Sequence, residues 1–318
     1  MYRLKKKVGL SSYEDYNINN YLTSLNSVIS NNEINYIFLN LTNTAPFSVL
    51  IKKNWPQIKV ILCSHGNESG DHLHDINLHN KFKGLLRKSA IYSLGNMVAK
   101  ESFFRKYIDL VLTVSDVEVG IEKWLTARQV SMVPRLIGQQ NEKYFPIFGR
   151  VGFISDLSHE PNYFGILKVC TELNLLDNHQ IKIRLVGGGH TRGDALQKQY
   201  SFVEYLGYLP SDKIIDELST WTFSLNPVFY YSRGVSTKLA KSLGMGYPVI
   251  TTDIGMRGYQ WKEGNLPVCK TAKEMALLIT LLSLNENMIN YYKNEVYKIQ
   301  KSSPSDIEIM TEIVSYIK

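Results

Sequence analysis

Residues 231–258 read YSRGVSTKLAKSLGMGYPVITTDIGMRG, and this stretch carries the side chains best placed for chemistry. A strand-like run ends near Asn226 and Pro227, the chain turns at Gly234, and a helical pattern opens with Val235, Ser236 and Thr237. A helix start presents backbone N–H groups without intrahelical acceptors and the positive end of the helix dipole, so it suits a phosphate group. Lys238 falls in the first turn of that helix. The dipole favours acidic residues there, which makes a lysine a candidate anion ligand. Ser236 and Thr237 acting only as helix caps, with Lys238 in water, fit the same residues.

The elements that must position this stretch alternate along the chain. Strand-like runs at 35–39, 59–63, 110–114 and 130–133 fill the first half, and runs at 150–154, 182–186, 202–205, 222–225, 248–251 and 266–269 fill the second. Longer helical patterns separate them, as in parallel sheets built from βαβ units. Residues 134–149 hold Pro134, Gly138 and Pro146 without a sustained period and are the expected linker. The predicted organisation is an N-terminal domain over 1–133, a C-terminal domain over 150–301, and a last helix over 302–318 that packs back on the N-terminal domain. The fold class is α/β, with two Rossmann-like doubly wound domains facing a cleft at the carboxyl ends of their strands, where such sheets bind ligands.

The glycine-to-lysine segment resembles the donor-site signature of the family-four glycosyltransferases, the glycosyl transferases group 1 of the GT-B type. Gly234, Lys238, Lys241, Gly246 and the pair Pro248-Val249 fall on that signature in register. Three upstream pieces agree in order. The run from Arg150 to Pro161-Asn162 resembles the opening strand and helix start of the second domain, and the run from Lys182 into Gly187-Gly188-Gly189 resembles its glycine-rich turn. Val203 to Pro210 resembles the segment whose residue after the glycine, here Tyr208, lies against the nucleobase. By this resemblance Gly188, Tyr208, Gly234, Ser236, Thr237, Lys238 and Lys241 bind a nucleoside-diphosphate sugar. The same resemblance makes His65, at the exit of the second strand, the candidate that faces the donor phosphates and shares the catalytic role with Lys238. The resemblance implies transfer to a hydroxyl acceptor with retained anomeric configuration, in surface polysaccharide or glycolipid assembly, on a glycan or lipid-linked acceptor.

Two departures bear on that expectation. The glutamate that contacts the donor ribose corresponds to Lys241, and the earlier acid of the paired motif corresponds to Arg233. Relatives also begin with further strand-helix units before the point matched by Tyr36, so the N-terminal domain reads as abridged. Both departures favour an alternative, a non-catalytic glycosyltransferase-like subunit that binds a partner enzyme or a glycan. The residues 155–159 lack the basic side chain usual after the opening strand, so Lys238 acts alone there or with help from Arg192.

His65, His72, His74 and His79, with Glu68, Asp71 and Asp75, raise the possibility of a metal site, but their spacing fits no known ligand set. No Asp-x-Asp triplet is present, so a metal-independent reaction without a resident cofactor is expected. Residues 81–106 carry Lys81, Lys83, Arg87, Lys88, Lys100, Arg105 and Lys106 among bulky apolar side chains. That composition suits either an anionic membrane surface or a solvated helix face. The net charge of +7 favours anionic partners, yet no nucleic-acid module is recognisable. Cys63, Cys170 and Cys269 are far apart and read as reduced thiols. No apolar run reaches the roughly 18 residues of a membrane span. A cytoplasmic protein, peripheral at the inner face of the cell membrane, is the expectation.

Overall fold

Every strand expected from the apolar, β-branched runs forms, within about two residues at either end. The computed structural model describes residues 13, 18–77, 82–140, 142–177, 179–231 and 233–317. It divides into two compact units, one of Met1–Pro134, Ser232–Gly234 and Ile307–Lys318, the other of Arg135–Tyr231 and Val235–Asp306. His79, Lys81 and the basic start of the chain lie outside the described residues.

In the first unit β1 (Tyr36–Asn40), β2 (Lys59–Cys63), β3 (Leu110–Thr113) and β4 (Val130–Met132) are parallel and follow the chain order. The helices are α1 (Leu22–Ser30), α2 (Phe47–Asn54), α3 (Glu68–Asn77), α4 (Gly84–Arg105) and α5 (Asp116–Trp124). The period of two along β2 sorts its side chains onto opposite faces of the sheet. Val60 and Leu62 join Leu39, Ile51, Ile58 and Val111 in one buried cluster, while Ile61 joins Leu110 and Leu112 in another. The second cluster is closed by Ile313 and Ile317 of the last helix, Asp306–Ile317, and the Tyr36 hydroxyl donates to the Ile317 carbonyl at 3.2 Å.

The second unit holds β5 (Arg150–Ile154), β6 (Lys182–Val186), β7 (Val203–Gly207), β8 (Phe223–Asn226), β9 (Val249–Thr252) and β10 (Val268–Cys269). All its pairings are parallel, in the order β10-β9-β8-β5-β6-β7. The order reverses between β5 and β8, and a doubly wound sheet binds its ligands outside the carboxyl ends at that reversal. Around it lie α6 (Glu160–Leu176), α7 (His190–Gln199), α8 (Ser211–Ser219), α9 (Thr237–Gly244), α10 (Ala272–Leu282) and α11 (Glu286–Ser302), with the first unit's last helix numbered α12. Gly152 in β5 admits the fully buried Trp221 ring, because a Cβ there would stand 2.0 Å from it.

The segment expected to be a linker is instead strapped onto the second unit. The N–H groups of Gln140, Phe145 and Ile147 donate to the carbonyls of Gly244, Ser219 and Thr220 at 2.8 Å each. Ile137 is buried with Leu239, Leu243, Val296 and Ile299. The Tyr144 ring stacks on Tyr247 at 5.8 Å, with the Lys293 ammonium 4.8 Å from its centre. A strap of this kind shows no helix or strand period because each of its residues answers to a different neighbour.

Candidate functional site

The reversal point is built from four loops that hold one another in place. After β5, the Leu157 N–H donates to the Gly188 carbonyl at 3.0 Å, and the Gly187 N–H donates to the Gly207 carbonyl at 2.8 Å. Gly187 has φ of +132°, and a Cβ on it would meet the Ser155 carbonyl oxygen at 2.1 Å. Only glycine fits that approach. Gly188 lies beside Asp156, so the loop expected to lack a basic residue presents a carboxylate instead. Arg192 is drawn to the same loop, where it donates to the Leu157 and Ser158 carbonyls at 3.0 and 3.1 Å and stacks over Tyr163 at 4.6 Å.

Lys238 stands in the first turn of α9, and its ammonium donates to Asn162 Oδ1 at 2.9 Å. Asn162 is itself fixed by donating to the Asp156 carbonyl at 3.0 Å, so the side chain that aims the lysine is tied to the β5 exit. The Phe153 ring lies 5.9 Å from the ammonium. Burial without a carboxylate partner pushes the Lys238 pKa down to about 8.

The helix start is braced from below. Ser236 does not cap α9 with its side chain, as the sequence suggested; its hydroxyl donates to Asn226 Oδ1 at 2.7 Å. Asn226 in turn donates to Thr251 Oγ1 at 2.9 Å and to the Gly255 carbonyl at 3.2 Å. The Tyr259 hydroxyl donates to the Ser236 carbonyl and accepts from the Ala240 N–H at 2.9 Å. Among the described residues nothing accepts from the N–H groups of Thr237 and Lys238. The result is a held helix end with free donors beside a lysine, an arrangement that binds oxyanions. Tyr208 follows β7 with 79 % of its surface exposed, a ring open to stacking. Lys241 lines a pocket with Arg135 and Thr237, whose lining does not include Lys238.

Two of the expected site residues belong to the first unit. His65 is exposed on the loop leaving β2, with Nε2 3.1 Å from Asn40 Oδ1. Gly234, at φ of +76°, donates its N–H to Glu118 Oε1 at 2.8 Å, and a Cβ on it would lie 3.5 Å from the His65 carbonyl oxygen. Its neighbour Arg233 pairs with Glu68, and with Asp71 at 2.7 Å, both in the first turn of α3.

The His65 loop rests on a buried polar cluster that sequence reasoning missed. Arg105 meets Glu122 at 2.5 Å and Asn67 Oδ1 at 2.6 Å, with both charged side chains fully buried. Ser64 and Asn67 each donate to Glu122 at 3.2 Å. Ser69 and Tyr13 donate their hydroxyls to Glu101 at 2.6 Å. Burial works against the Arg105 charge, and the Glu122 carboxylate more than offsets it; burial raises the Glu101 pKa. Arg105 therefore leaves the basic surface expected over 81–106. The exposed side chains there include Leu85, Leu86, Ile91 and Tyr92 with Lys83 and Lys88. His72 is buried, with Nε2 3.0 Å from the Ala90 carbonyl oxygen. Among the described residues no three His, Cys, Asp or Glu side chains are gathered as a metal would need, and no helix is long and apolar enough to cross a membrane.

Residues 149–284 match the family described as glycosyl transferases group 1. No curated protein sequence matches the chain. Among solved structures, HepE of Anabaena in complex with UDP and glucose superposes with a TM-score of 0.65 at 12 % identity, covering 94 % of this chain and 80 % of that one. Sucrose-phosphate synthase from Thermosynechococcus elongatus gives 0.68 at 13 % identity, covering 94 % and 77 %. The lipopolysaccharide outer core galactosyltransferase WaaB gives 0.62 at 11 % identity, covering 94 % and 79 %. Identities this low establish the fold, and the sequence match is confined to residues 149–284. The chain therefore has the GT-B fold with two Rossmann-like units, and its residues 149–284 carry the match to glycosyl transferases group 1.

Proposed function

We propose that the chain moves a sugar from a nucleoside diphosphate to a hydroxyl acceptor, with retention at the anomeric carbon and without a metal or resident cofactor. The observation that carries this reading is the Lys238 ammonium, aimed by Asn162 beside the free N–H groups of the α9 start. In the reaction the anomeric carbon–oxygen bond breaks, the diphosphate leaves with the electron pair, and the acceptor oxygen bonds to carbon as its proton is lost. Donors held in place before charge develops stabilise the leaving group without reorganisation. Lys238, Thr237 N–H and Lys238 N–H fill that role, Tyr208 stacks on the base, and Gly188 lets the backbone come close to the phosphates. His65 of the first unit is the second catalytic candidate. Turnover is expected to persist in excess EDTA, measured as nucleotide release. Loss on chelation, restored by one divalent ion, would overturn the metal-free mechanism.

The acceptor is proposed to be a glycan or lipid-linked sugar in surface polysaccharide or glycolipid assembly, reached at an anionic membrane. Leu85, Leu86, Ile91 and Tyr92 with Lys83 and Lys88 offer apolar side chains among cations near the start of α4. Such a surface binds by burial plus attraction to anionic headgroups. Co-sedimentation with phosphatidylserine vesicles is expected at low salt and should fall sharply at 1 M salt, where the screening length is about 3 Å. Equal binding to neutral vesicles would rule the electrostatic part out.

A second reading has one specific observation in its favour. Arg233, at the position of the motif's first acid, is committed to Glu68 and Asp71. A non-catalytic subunit binding a partner enzyme or glycan would tolerate that loss. Nucleotide binding without turnover of any donor, together with co-purification of a transferase, would establish it.

A further inference from the structure

The second cationic residue of α9 lies in a pocket of its own. An open cavity of about 460 Å³ in the second unit is lined by Arg135 and Leu136 of the strap, Ser211 and Ile214 of α8, and Thr237 and Lys241 of α9, among others. Its only charged lining residues are Arg135 and Lys241, and neither forms an ion pair among the described residues. Two cations on the wall of one cavity repel each other unless an anion is present. Both side chains offer only donors, and such bonds are strongest to an anionic oxygen.

A carboxylate would match one of these charges. A phosphate monoester carries about −1.5 to −2 near neutrality and offers three acceptor oxygens, which matches both cations and leaves oxygens for the Ser211 and Thr237 hydroxyls. The apolar lining gives a carbon skeleton a surface to cover. We propose that this pocket binds a small organic phosphate, its phosphate taken by Arg135 and Lys241 and its carbon body set against Leu136 and Ile214. The phosphate is that of a sugar phosphate distinct from the donor nucleotide.

Titration calorimetry on the full chain tests this, with UDP, glucose 6-phosphate and neutral glucose as probes. Glucose 6-phosphate is expected to bind and glucose not. Arg135→Ala and Lys241→Ala should each weaken that binding roughly 10- to 100-fold, as loss of a charge-assisted hydrogen bond does, while Lys241→Arg retains it. Lys238→Ala should leave glucose 6-phosphate binding unchanged, so failure of the donor reading would not touch this one. If only UDP binds, and its affinity depends on Arg135 and Lys241, the pocket is part of the donor site and the proposal fails. Both residues are exposed, and the variants should melt like the wild type without ligand. Binding of neither organic phosphate, affinities unchanged in Arg135→Ala and Lys241→Ala, or glucose binding as tightly as its phosphate would each overturn it.

Discussion

Replacing Lys238 with alanine is expected to abolish most of the thermal stabilisation that UDP, GDP or a related diphosphate confers, and to lower turnover by about 10²- to 10³-fold, the usual cost of one donor to a developing charge. The change deletes an ammonium that no carboxylate neutralises and that Asn162 holds at 2.9 Å. Titration gives this prediction a signature. With a folded pKa of about 8 against an ordinary 10.5, Lys238 is charged in both states below pH 8, and only the unfolded chain keeps the proton between about 8 and 10.5. The unliganded protein therefore gains stability from this group as pH rises through that window. Nucleotide affinity runs the other way, because the free protein loses its charged ligand above pH 8. Lys238→Ala should flatten both trends. A variant that binds nucleotide like the wild type at pH 7 would remove Lys238 from the site.

The largest effect on stability is expected at the buried ion pair of the first unit. Arg105→Ala leaves the fully buried Glu122 carboxylate without its cation, a loss of about 3–5 kcal/mol in comparable cases. At roughly 2–4 °C per kcal/mol for a unit of this size, the thermal midpoint should fall by about 6 °C or more. Hydrogen exchange should quicken around Ser64, Asn67 and Ser69, which bond Glu122 or Glu101. A midpoint within about a degree of the wild type would mean that water already reaches the pair.

The strands were legible because apolar, β-branched runs are local signals, and the glycine-to-lysine helix start was legible because its residue types sit side by side. What holds those residues was not. Asn162 lies 76 positions before Lys238, and Tyr259 lies 23 after Ser236, so their hydrogen bonds exist only once the sheet has formed. Ser236 reads as a cap by type, yet its hydroxyl turns to Asn226 instead. Arg105 reads as surface charge because a helix of alternating basic and apolar residues does not say which basic residue faces inward. Its ion pair with Glu122 decides that, 17 residues away and on another helix. That Lys241 lines a pocket without Lys238 was equally hidden, since three positions along a helix fix their spacing but not which walls face them.

The central claim is that the second unit binds a nucleoside diphosphate at the start of α9. A thermal-shift screen of the wild-type chain against UDP, GDP, ADP, CDP and dTDP tests it most directly, because a ligand that binds only the native state raises the melting midpoint. At a concentration 100 times its dissociation constant, one nucleotide is expected to add about 2.7 kcal/mol, with EDTA present throughout. A melting curve that none of the five nucleotides moves, at millimolar concentration, would contradict the account.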